Sequence, residues 1–180
     1  MQRIITTDYK QQFQTLIDSI DLTKTDINLE LLSILVNRIL FQNLNFERNE
    51  SLDKSIQESL ETMQIIVHQL MLLKNYDPNS LIGGIWLFCY LLQMDKNLKQ
   101  ISSLKLIAVF SACLRIAQKL ISDFNLGSDD YEEIYGTNKK LIGRAEFEIL
   151  KNHSNALKLI TYDNDTLSKF LKFNLEKFDV

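Results

Sequence analysis

One proline and five glycines in 180 residues leave this chain almost without the residues that end helices or turn a strand back on itself. A sheet protein of this length needs many turns, and tight turns draw on Gly and Pro. Long helices need few breaks. The sequence therefore predicts an all-α fold, and the length gives room for one ordinary domain with a sizeable core.

Helix signals recur along the chain. "TDINLELLSILVNRILFQN" offers Thr25 or Asp26 as a cap, with Leu31, Leu32, Leu35, Ile39 and Leu40 on one face. A second helix can start at Ser51, its later apolar positions Ile66, Leu70 and Leu73 falling at helical spacing. Asp77 before Pro78 reads as a cap followed by a favoured first helical residue. "SSLKLIAVFSACLRIAQKLISD", capped by Ser102 or Ser103, is apolar almost all round and so belongs at the centre of a bundle. "SDDYEEIYG" reads as a short helix ending at Gly136. "TNKKLIGRAEFEILKNHS" follows, with Leu141, Ala145, Ile149 and Leu150 expected inward. A last helix, capped at Asp163 or Asp165, buries Leu167, Phe170, Leu171 and Leu175.

Composition narrows the function classes. The formal net charge is −3, with lysines scattered among acids, so no basic footprint for nucleic acid is present. "LIGGIWLFCYLLQM" is too short to span a bilayer, and the later apolar run is interrupted by Lys105 and Arg115. "MQRIITTDYKQQF" has no apolar core of secretory length, so the expected address is intracellular, cytoplasmic or nuclear. Cys89 and Cys113 then read as reduced core thiols.

Catalytic and metal-binding patterns are not found. His68 and His153 show no metal-ligand spacing, and His68 reads as a core-edge or surface residue; neither metal nor cofactor is expected. Asp129–Asp130 and Glu132–Glu133 are adjacent pairs, which do not face each other on a helix. The doublet Gly83–Gly84 lies inside a predicted helix and suits close helix packing better than phosphate binding.

The puzzling residue is Lys119, a charge at the end of the oiliest helix, because an unpaired buried ammonium is costly. "IAQKLISD" and the later "AEFEIL" together resemble the cyclin box, the five-helix repeat of cyclins. In that family the third helix ends in A-x-K followed by acids, and the fifth carries E-x-x-(I/V/L)-L. The stretch from "AQKLISD" to "AEFEILK" is most similar to the P-type cyclins, which include the phosphate-regulation and plant U-type proteins. "LELLSILVNRILFQN" resembles the helix those proteins carry before the box. The resemblance implies one five-helix box with additional N- and C-terminal helices: residues 1–50 as a helical extension and 51–180 as the box with its C-terminal helix.

The chain departs from the family where many members hold an internal ion pair; by spacing those positions are Leu60 and Cys89, and Tyr90 replaces an adjacent basic residue. Its "IYG" stands where the P-type members run V-G-G.

The resemblance implies a regulatory subunit that binds and activates a cyclin-dependent protein kinase as a heterodimer, with no chemistry of its own. Lys119 would donate to a kinase carbonyl and Glu146 accept from a kinase N–H. Asp123 would meet a kinase arginine, while Ala112 and Ile116, with Ala108, would form the floor of the receiving groove. Glu148 competes with Glu146 for that role, and helix register favours Glu146. ATP and magnesium would belong to the kinase. The alternative is a helical adaptor that shares the cyclin fold and binds another protein.

Overall fold

The run SLKLIAVFSACLRIAQKLI can bury nearly every side of a helix, and in the computed structural model of the protein it does so. The structure describes residues 29–44, 50–122, 126, 130–135, 137–162 and 164–176. Among these there is no strand. The helices are α1 (Leu29–Leu44), α2 (Glu50–Leu72), α3 (Pro78–Met94), α4 (Ser103–Ile121), α5 (Asp130–Tyr135), α6 (Lys139–Asn152), α7 (Ser154–Tyr162) and α8 (Asn164–Glu176), with a 3-10 turn at Lys96–Gln100.

The central helix is α4, which packs against α2, α3, α5, α6 and α7. Leu106, Phe110, Cys113, Leu114 and Ala117 are all buried in it. Phe110 meets Phe88 of α3 edge to face, with ring centroids 5.1 Å apart. The glycine doublet sets the α3–α4 distance. A Cβ on Gly84 would stand 2.8 Å from the Cα of Leu114, so only a hydrogen fits between the two backbones.

Helix starts follow local chemistry. The Asp77 carboxylate accepts from the Asn79 N–H at 2.8 Å, with Pro78 opening α3. Asp95 caps the 3-10 turn in the same way through the Asn97 N–H at 2.9 Å. Ser102 occupies the cap position of α4 but makes no side-chain cap bond. The neighbouring Ser103 hydroxyl lies 2.7 Å from that of Ser59, tying the start of α4 to α2. The expected caps Thr25, Asp26 and Asp163, and the expected stop Gly136, lie outside the described residues.

α1 packs on α2 and α3 and buries Leu32, Leu35, Val36, Ile39, Leu40 and Leu44 in the same cluster that α4 fills. In α2, Ile66 and Leu70 are buried as their spacing predicts, and Leu73 is partly buried just past the helix end. The side chains of Leu31 and Leu175 are outside the described set.

Two expectations need correction. The inward row of α6 is Ile142, Glu146 and Ile149; Leu141 and Ala145 are only partly buried and Leu150 is exposed. Ile142 and Ile149, seven positions apart, fix the register, and the seam between them falls on Glu146, not on the apolar Leu150. The C-terminal region holds two helices rather than one. α7 breaks from α6 at His153, whose N–H donates to the Ile149 carbonyl while its own carbonyl accepts from Ala156 at 3.0 Å. Ala156 and Ile160 of α7 and Leu167 and Leu171 of α8 are buried, with Phe170 partly so.

Candidate functional site

The C-terminal end of α4 and the middle of α6 bring three charges together. α4 presents Arg115 and, one turn later, Lys119 on the same side, since residues four apart share a helix face. α6 presents Glu146 from its inward row. Arg115 Nε lies 3.0 Å from Glu146 Oε1. Lys119 Nζ donates to both carboxylate oxygens, at 3.3 and 3.4 Å.

Burial grades the three. Glu146 and Arg115 have side chains 11% and 13% exposed, while that of Lys119 is 48% exposed. A carboxylate this enclosed needs compensation, and it receives two cations. Both cation heads close on the acid, at 3.0 and 3.3 Å. The cluster carries one more positive than negative charge, and the surplus sits on the ammonium that water reaches. An ammonium has three N–H donors, and here it addresses a single carboxylate. The arrangement can hold and present polar groups at a surface edge.

The structure brings Lys119 and Glu146 together and supplies the lysine with a partner inside its own chain. Ala112 and Ile116 are buried, as is Ala108, so these residues lie beneath the surface. Asp123 lies outside the described residues. Glu148 is exposed and accepts from the Asn152 side chain at 3.1 Å, the position of a solvated acid. Sequence reasoning missed Arg115, treating it only as an interruption of an apolar run. Its spacing of four from Lys119 was the available signal.

Other reactive groups are accounted for by packing. Cys89 and Cys113 are buried and form no disulfide. Burial, with Cys89 nearby adding to it, holds the Cys113 thiol well above the usual thiol range. Leu60 and Cys89 are buried among apolar neighbours. His68 is exposed. The ring of His153 stands edge-on to Tyr90, which stacks on Trp86 at 5.5 Å. Trp86 and Tyr90 of α3 with Phe170 and Phe173 of α8 wall a shallow cleft of about 360 Å³. Lys169 at its rim is paired with Asp165 at 3.6 Å. Among the described residues no three His, Cys, Asp or Glu side chains are grouped to hold a metal ion, and no helix is long and apolar enough to cross a membrane.

No protein-family model, curated protein or solved structure matches this chain.

Proposed function

We propose that the chain is a cyclin-like regulatory subunit that docks a helical segment of a cyclin-dependent protein kinase at the α4–α6 edge. One observation carries this reading. Lys119 and Glu146, 27 residues apart, meet at 3.3 Å on the third and fifth helices of the run α2–α6. That is the placement the cyclin resemblance requires of its two docking residues. α1 would be the helix before the box, and α7 and α8 would follow it.

Docking would use hydrogen-bonding capacity that the free chain leaves over. Lys119 keeps donors for a backbone carbonyl. A carboxylate offers about four acceptor sites, so Glu146, steadied by Arg115, can accept a backbone N–H without releasing its cations. Hydrogen bonds to charged groups contribute about 1.5–3 kcal/mol each, enough to orient a helix but not to bind it without apolar contact. Held at this edge, the kinase αC helix would stay inward, so that its glutamate pairs with the lysine that positions the ATP phosphates. ATP and magnesium are the kinase's. Regulation would be allosteric.

A second reading, a non-catalytic adaptor of the same fold, is favoured by the buried apolar residues Leu60 and Cys89, which stand where many cyclins hold an internal ion pair. Affinity purification from native cells separates the two. The paired exchange Lys119→Glu with Glu146→Lys keeps the cluster's net charge and reverses the groups offered to a partner. It also sets an ammonium beside Arg115 in the enclosed site, so circular dichroism must first show that the variant folds. A cyclin-dependent kinase that co-purifies with the wild type and is lost with the folded exchange variant supports the docking site. A kinase retained by the exchange variant removes these residues from it. No kinase with the wild type leaves the adaptor reading.

A further inference from the structure

The outer face of α6 runs against both the helix's own preferences and the charge of the chain. Gly143 sits mid-helix, where glycine is less favourable than alanine, yet a Cβ there would meet nothing within 4 Å. Internal packing does not require the position to be small. Phe147 and Leu150 on the same helix are 62% and 50% exposed. At 100° per residue, Gly143, Phe147 and Leu150 form one stripe spaced i, i+4, i+7, beside the row that holds Glu146.

A basic row flanks the stripe. Lys140, Arg144 and Lys151 fall just beyond Phe147 around the helix, all are exposed, and among the described residues none meets a carboxylate. Lys139 and Lys140 open the helix, and no acid stands in its first turn, although the helix dipole favours acids there. Four exposed cations thus face one exposed carboxylate, Glu148, in a chain whose net charge is −3. Neither helix propensity nor overall composition accounts for this face.

We propose that the outer face of α6 binds an acidic amphipathic helix of a partner protein, its apolar side on Phe147 and Leu150, its backbone closest at Gly143, and its carboxylates on Lys140, Arg144 and Lys151. This deepens the docking reading of the α4–α6 edge and rests on it, but it does not depend on the partner being a kinase. An anionic membrane fits less well. Two apolar side chains on a helix pinned by Ile142, Ile149 and the Arg115–Glu146 pair bury little in a bilayer, and a headgroup layer gains nothing from the gap at Gly143. A crossing helix does gain, because small residues let backbones approach.

The test is selection of a displayed library of random and helix-biased peptides on the whole chain, with the best peptide then titrated against variants. Enriched peptides should carry acids together with apolar residues at helical spacing, and their binding should weaken as salt rises. Phe147→Ser, the pair Arg144→Glu with Lys151→Glu, and Gly143→Gln should each weaken binding about tenfold or more, the worth of one good charged contact. Gly143→Gln should also melt higher than the wild type, because glutamine is the better helix former, so lost binding there cannot be lost folding. Neutral or basic peptides, no enrichment at all, or a Gly143→Gln variant that binds normally would overturn the proposal. So would binding to phosphatidylserine vesicles, without peptide enrichment, that the charge-reversed pair abolishes. Acidic helices selected by a chain that brings down no kinase would keep this inference and end the kinase reading. A kinase that co-purifies while selection fails would do the opposite.

Discussion

Glu146 occupies a place that an amphipathic helix ordinarily gives to leucine, and the two cations over it explain how the fold tolerates that. The carboxylate is more enclosed than either of its cations, so removing its charge leaves Arg115 facing a neutral group in a poorly hydrated site. Glu146→Gln should cost about 2 kcal/mol of stability, the scale of a lost charged hydrogen bond. Lys119→Met should cost less than about 1 kcal/mol, because the lysine side chain is half in water. Urea unfolding of the two variants beside the wild type measures the difference. Equal losses would show that the half-exposed lysine matters to the cluster as much as the enclosed acid does. At this scale the sequence carried the pair but not the third member. Lys119 and Glu146 stood out because a charge interrupts an apolar pattern at a helix end and on a helix face. Arg115 interrupts the pattern too, but its role depends on which helix lies opposite, and that is tertiary information.

At the scale of the element, three helical glycines separate packing from propensity. Gly84→Ala places a methyl 2.8 Å from the Leu114 Cα, and backbone cannot move aside cheaply, so α3 and α4 must part, at about 1–3 kcal/mol. Gly83→Ala meets the Ile121 Cδ1 at 2.7 Å, the far end of a side chain that can rotate, with the Ala117 Cβ at 3.5 Å. Its cost is reduced by the helix propensity that alanine regains. Gly143→Ala meets nothing and should stabilise by about 0.5–1 kcal/mol. Thermal melts should therefore rank Gly143→Ala above the wild type, Gly84→Ala lowest, and Gly83→Ala between the wild type and Gly84→Ala. A Gly84→Ala variant as stable as the wild type would mean the helices are not in backbone contact. The sequence showed that this doublet lies inside a helix and suits close packing. It misread the inward face of α6, because counting apolar residues favours Leu150 over a buried glutamate. It also missed α7, whose start at His153 carries no proline or glycine to announce a break.

The whole molecule is organised around α4, and this much was legible, because a helix apolar on nearly all sides has nowhere else to go. The status of α1 was not. Its amphipathic pattern shows that it packs on something, but a pattern does not say whether the remaining helices would stand without it. In the structure its six buried residues belong to the same cluster as Phe88, Phe110 and Leu114, so the boundary drawn near residue 50 divides one core. Fully burying a Leu, Ile or Val side chain contributes about 1.5–3 kcal/mol. Six of them amount to about 9–18 kcal/mol, comparable with the roughly 5–15 kcal/mol by which a whole domain is ordinarily stable. A chain truncated at residue 44 should therefore lose its cooperative thermal transition by circular dichroism and bind a hydrophobic dye through the uncovered faces of α2 and α3. If the fragment instead melts cooperatively and leaves the dye unbound, the helices from α2 onward form a domain in their own right. In that case the α4–α6 edge, with Arg115, Lys119 and Glu146, would function without α1, and partner binding could be mapped on the shorter chain.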